Sequence, residues 1–145
     1  MNEDNADVTK EVAVLERTDV RRRILIVGAA LAALGVAFGA FGAHALRDTL
    51  GAQRLGWWNT AVQYQMWHAV GLVGLAAAPF ARMGLPAALL ALGTLLFSGS
   101  LYGMALTGAR WLGPVTPIGG LLMIAGWLLV AWRCLGTVRG GASLS

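Results

Sequence analysis

From Ile24 to Ala43 the chain runs for about 20 residues without a charged side chain, and this stretch constrains the fold more than any other. As an α-helix it is roughly 30 Å long, the thickness of a bilayer's hydrocarbon core. The rest of the chain suits the same solvent. Hydrophobic residues make up 57% of the 145 and charged residues 12%, with a mean hydropathy of +0.66, whereas a soluble domain carries about 25% charge. A chain of this composition cannot cover itself with polar surface, so lipid surrounds most of it. The length allows one domain.

Within the apolar run, Gly28, Ala32, Gly35, Gly39 and Gly42 recur at steps of four and three. That spacing places them on one stripe of a helix. Small residues on one stripe let a second backbone approach closely, which is how helices associate in lipid. After His44 the chain turns amphipathic through Arg47, Asp48 and Arg54. This segment is too charged to cross and fits a short interfacial connection.

Helix two is expected from about Ala52 to Ala78, ending at Pro79. Asn59, Thr60, Gln63, Tyr64 and His68 follow at helical spacing and predict a polar face, with Gln65 off to one side. Trp57 and Trp58 read as an aromatic belt at one interface. That sets His68 two to three turns deeper, in the hydrocarbon zone. A tight turn at Ala81–Pro86 leads into helix three, about Leu85 to Thr107, which carries Thr94, Ser98, Ser100, Tyr102 and a Gly99-x-x-x-Gly103 packing pair. Helix four is expected from about Pro114 to Trp132, interrupted near its start by Thr116-Pro117-Ile-Gly119-Gly120. These elements predict an all-α membrane protein: four transmembrane helices over residues 21–135, with a short interfacial segment between helices one and two.

Charge is distributed unevenly. Residues 1–20 hold Glu3, Asp4, Asp7, Glu11, Glu16 and Asp19 and predict a mobile acidic tail, and residues 136–145 a short polar one. Beyond Asp19 the only acid is Asp48, against nine arginines. Four spans place both termini on one side, with Arg21, Arg22, Arg23, Arg82, Arg133 and Arg139; the other side has Arg47, Arg54 and Arg110. Such a bias records membrane orientation and predicts both termini in the cytoplasm. No basic and aromatic pattern facing water suggests nucleic acid. The basic cluster at Arg21–Arg23 sits too far into the chain for a secretory signal.

Candidate chemistry is sparse. His68 leads, because an ionisable group inside a bilayer is costly unless it is paired or functional. Its alternatives are a structural hydrogen bond to Ser98, Ser100 or Tyr102, a solute or lipid contact, or a metal or haem ligand. With His44, at the interface beside Arg47 and Asp48, it offers two axial ligands for haem iron. Nothing in the spacing calls for a cofactor, and four-ligand metal sites need more donors than the chain has. The lone Cys134 excludes an intramolecular disulfide and a cysteine-based zinc site. Acid–base chemistry finds no intramembrane carboxylate, and ion-coupled transport lacks one for the same reason.

The motifs Gly39-Ala-Phe-Gly-Ala-His44, Thr60-Ala-Val-Gln-Tyr-Gln-Met-Trp-His68-Ala, Phe97-Ser-Gly-Ser-Leu-Tyr102 and Thr116-Pro-Ile-Gly-Gly120, followed by Gly126-Trp127, resemble the YgdD-like family of small inner-membrane proteins, domain of unknown function family 423. The resemblance covers about residues 24–133 in order. It implies a four-helix integral membrane protein of the bacterial inner membrane and brings no activity with it. The acidic segment lies outside the family pattern, and Gly51-Ala52-Gln53 replaces the Ser-Pro-Glu type start of helix two. The residues predict a non-enzymatic subunit or assembly factor with a protein partner in the membrane, or self-association. The alternative is an uncoupled channel or permease lined by the face from Asn59 to His68, and a minor one is a haem- or quinone-binding electron carrier.

Overall fold

In the computed structural model, which describes residues 3–79 and 82–141, α1 spans Glu3–Phe41 and passes into one π-helical turn, Gly42–Leu46. Then follow α2 (Ala52–Ala77), α3 (Gly84–Thr107), a 3-10 turn (Arg110–Leu112) and α4 (Val115–Gly141). Among the described residues there is no strand. The segments Asp7–Leu46, Gly84–Thr107 and Arg110–Leu135 are long and apolar enough to cross a membrane by composition alone. The fourth helix, α2, has the length at 26 residues but carries the amides.

Two boundaries differ from the sequence expectation. The acidic residues from Glu3 onward continue α1 instead of forming a separate tail. No Gly or Pro interrupts the chain before Gly28, and an Asp19–Arg23 pair at 2.7 Å bridges one turn. Such an exposed pair adds well under about 1 kcal/mol. The helix is therefore about 58 Å long, and the side chains described ahead of Ile24 are all exposed. In α4, Pro117 falls in the first turn, where its missing N–H would have no helical partner, so the expected interruption is an ordinary helix start. α4 also runs beyond Trp132 to Gly141, into the expected polar tail, whose residues 142–145 lie outside those described. In the turn before α3, Phe80 and Ala81 likewise lie outside the described residues; Arg82 adopts φ 60°, and Pro86 sits in the first turn of α3. A left-handed arginine costs about 1 kcal/mol.

The helices pack in chain order, α1 on α2, α2 on α3 and α3 on α4, with a lighter contact between α1 and α3. Among the described residues α1 and α4 share no substantial contact, so the arrangement is an open row with α2 and α3 inside it. Glycines set the close approaches. A methyl group on Gly28 would stand 3.1 Å from the Ala69 carbonyl oxygen; one on Gly42 would stand 2.5 Å from the Trp58 indole nitrogen. At Gly35 it would run into the Met66 sulfur, whereas at Gly39 it would meet Val62 at an ordinary 3.5 Å. The stripe on α1 thus faces α2. On α3, Gly103 faces Leu112, but Gly99 is exposed with open space beside it, so it is not the packing glycine the spacing suggested. The α3–α4 crossing runs instead through Gly93 and Gly119. A methyl on Gly119 would stand 2.5 Å from the Phe97 nitrogen, which brings backbone nearly against backbone.

Candidate functional site: the two faces of α2

α2 buries Trp58, Ala61, Gln65, His68, Ala69, Leu72, Leu75 and Ala76. These recur every three or four residues and define one inward stripe. Ala61 and Ala69 are wholly buried, and their small side chains let α3 and α1 come close on either side.

Gln65 is the centre of this stripe. Its Nε2 donates to the Leu31 carbonyl of α1 at 2.8 Å, and its Oε1 accepts from the Tyr102 hydroxyl of α3 at 2.9 Å. One carboxamide therefore ties three helices, with donor and acceptor both used. Around it, Trp58 Nε1 donates to the Phe38 carbonyl at 2.9 Å, and its ring lies 4.6 Å from Tyr102. Ser98 donates to the Ala61 carbonyl at 2.9 Å. Ser100 lies 2.9 Å from the Phe97 carbonyl and 2.7 Å from the Thr116 hydroxyl, which links α3 to α4. Interhelical bonds of this kind contribute about 0.6 kcal/mol each in a membrane, up to about 1.7.

His68 is buried but pairs with none of Ser98, Ser100 or Tyr102. Its Nδ1 donates to the Tyr64 carbonyl one turn earlier at 2.8 Å. That bond places the proton on Nδ1, because a carbonyl only accepts. The ring lies 6.2 Å from both Tyr64 and Trp127. Among the described residues, every buried side-chain nitrogen and oxygen has a partner.

Part of the expected polar face is turned the other way. Asn59 and Gln63 are exposed; Thr60 is half-buried and donates to the Gly56 carbonyl of its own helix at 2.9 Å. The reason is helical phase. Gln63 sits two residues from both Ala61 and Gln65, a rotation of about 200°, so the stripe that packs against α1 and α3 points it outward. The expected buried set of Asn59, Thr60, Gln63, Tyr64, His68, Ser98, Ser100 and Tyr102 therefore divides into an inner and an outer group. His68, Ser98 and Ser100 are buried and Tyr64 and Tyr102 half-buried. The residue that organises them is Gln65, which lies to one side of the polar arc that the spacing predicts. Trp58 is also an interior residue, 3% exposed, and no belt residue; Trp111, 75% exposed at the same end, fits that role.

Two arginines complete the scaffold. Arg54, in the first turn of α2, donates through Nε to the Ala105 carbonyl at 2.6 Å and through Nη2 to the Leu106 carbonyl. It caps the C-terminus of α3, where the chain leaves the helix through a left-handed Gly108 at φ 73°. At the other end Arg21 of α1 donates to the carbonyls of Ala76, Ala77 and Ala78 at 3.0, 3.1 and 2.7 Å. Both place a cation on the unsatisfied carbonyls at the negative end of a helix dipole, worth about 1 kcal/mol or more each. Proximity in sequence hides both, since each arginine reaches across more than 50 residues.

His44, Arg47 and Asp48 are exposed at the π-helical turn and the turn after it. His44 and His68 are held apart, one at the exposed end of α1 and the other inside the bundle on α2. Among the described residues no group of three or more His, Cys, Asp or Glu is placed to hold a metal.

A row of four helices with a hydrogen-bonded interior and a mostly apolar exterior along the spans defines a small multi-pass α-helical membrane protein. The chain belongs to the family described as protein of unknown function (DUF423), whose model matches residues 38–120. It is 43% identical over 126 residues to the UPF0382 inner membrane protein YgdD of Escherichia coli (strain K12), an alignment spanning 84% of this chain and 96% of the relative. It is 45% identical over 109 residues to the UPF0382 membrane protein SH2409 of Staphylococcus haemolyticus, which covers 73% of this chain and 89% of that one. No solved structure matches.

Proposed function

We propose that this protein is a non-enzymatic subunit, or an assembly or stability factor, of a membrane complex, and that the outward face of α2 meets the partner. Gln63 carries this reading. It lies nine residues beyond Arg54, roughly 13 Å deeper along the helix, and so within the hydrocarbon. Its carboxamide is exposed, while the amide two residues away is paired through both its nitrogen and its oxygen. An unpaired amide in hydrocarbon costs several kcal/mol, so a partner helix that supplies a hydrogen bond is favoured over lipid. Asn59 and the 58%-exposed Trp67 continue the same outward stripe, one turn to each side.

The arginine distribution supports an inner (plasma) membrane orientation with both termini in the cytoplasm. A channel along the face from Asn59 to His68 has less support. Asn59 and Gln63 face away from the bundle while His68 faces in, so no single path within one protomer is lined by both.

Native gel electrophoresis of gently solubilised membranes tests the proposal. The wild-type chain is expected in a band larger than its monomer, and Gln63→Leu is expected to shift it to monomer without loss of protein. A wild-type chain that migrates only as monomer contradicts it.

A further inference from the structure

We infer that the open side of the helix row, at the end carrying both termini, is a binding site for an anionic phospholipid. Because α1 and α4 do not pack together, a cavity of about 580 Å³ remains between them over the start of α3. Among the described residues four guanidinium groups line it, those of Arg17 and Arg21 from α1, Arg82 from the turn before α3 and Arg133 from α4, with one carboxylate, that of Glu16. Its floor is apolar, with Ile24, Leu75, Met83 and Leu85.

A second cavity of about 280 Å³ adjoins it, sharing Val20, Ile24 and Gly84 in its lining. This one runs between α1 and α3, deeper into the apolar zone, past Val27, Ala88 and Ala91. Small side chains on α3 make it a groove. Among the described residues the one charged group along it is Arg23, which is already paired with Asp19 at 2.7 Å.

A basic cup beside a mostly apolar groove matches one class of ligand, a molecule with an anionic phosphate head and an acyl chain. Arginine clusters at the membrane surface attract anionic headgroups, and basic pockets between membrane helices hold them. Guanidinium donors also match phosphate oxygens in geometry. Arg21 is fixed in the cup wall by its bonds to Ala76, Ala77 and Ala78, so the cup is held open by the same contacts that cap α2. A free phosphate would use the cup alone; a phospholipid uses the groove as well.

Native mass spectrometry of the purified full chain in detergent, titrated with phosphatidylglycerol, phosphatidylcholine or inorganic phosphate, separates these cases. Phosphatidylglycerol is expected to be retained about tenfold more than phosphatidylcholine. The double variant Arg17→Gln/Arg82→Gln is expected to remove that preference, and Arg47→Gln, at the opposite end, to leave it intact. Ala88→Phe, which fills the groove without touching charge, is expected to lower phosphatidylglycerol retention at unchanged melting temperature. Equal retention of the two lipids, or retention unaffected by both the double variant and Ala88→Phe, overturns the inference. So does inorganic phosphate displacing the lipid at equal concentration, which would mark a free-anion site.

Discussion

Gln63 and Gln65 are the same side chain, two residues apart on one helix, and the structure puts them to opposite uses. Gln65 is 4% exposed and bonded to α1 and α3 at once; Gln63 is exposed and unengaged. In water the second would need no explanation. In hydrocarbon it does, since lipid offers an amide nothing to bond with. The inner face of α2 holds the protein together, and the outer face is the one we propose for another molecule.

Substitutions on the two faces test this division. The largest effect is expected at the α1–α2 approach. Gly28→Leu would drive a side chain into Ala69 and Leu72, costing about 3 kcal/mol, so little folded protein should be recovered by size exclusion. Next, Gln65→Leu strips the Tyr102 hydroxyl of its acceptor and should lower stability by about 2 kcal/mol, read from thermal melting in detergent. Tyr102→Phe removes the same bond from the other side at about 0.6–1.7 kcal/mol. The double variant should cost less than the sum, because both changes remove one interaction. Gln63→Leu should leave stability within about 0.5 kcal/mol and act only on association. A Gln63→Leu variant that melts as low as Gln65→Leu would erase the distinction between the faces.

How far these faces could be read without coordinates follows from what each signal depends on. Helix number and approximate span are legible because hydrocarbon thickness sets them directly: α3 was expected from Leu85 to Thr107 and runs from Gly84 to Thr107. The small-residue stripe on α1 is legible too, since Gly28, Gly35 and Gly42 need no partner to define a stripe. The phase of α2 is harder. Asn59, Thr60, Gln63, Tyr64 and His68 form a coherent polar arc, and the arc itself does not say which side of it meets the neighbours. The signal was in the residues between, Ala61 and Ala69 on either side of Gln65, with Leu72 and Leu75 continuing the line. Two alanines and two leucines at helical spacing outrank a run of amides in setting which side packs.

Cross-chain contacts explain the remainder. Arg54 looks interfacial in sequence and is interfacial, but its task is to close α3. Trp58 looks like a belt residue because it follows Trp57, yet Gly42 opens a slot on α1 that its indole fills. The end of α1 shows the converse. Residues 1–20 lack the apolar pattern of a packed helix, which predicts a mobile tail; from Glu3 on they are helical because nothing in them interrupts α1. The pocket at the open side needs α1, α3 and α4 placed together, and no local pattern contains it.

The central claim is that α2 has a structural amide and a recognition amide, and one paired measurement tests it most directly. Gln63→Leu and Gln65→Leu are each expressed in native membranes, and thermal stability and native-gel size are measured on the same samples. The account predicts that Gln63→Leu keeps the wild-type melting temperature and loses the larger band. Gln65→Leu should melt lower and, below its melting point, retain that band. The reverse assignment, or a larger band unaffected by Gln63→Leu, would contradict it.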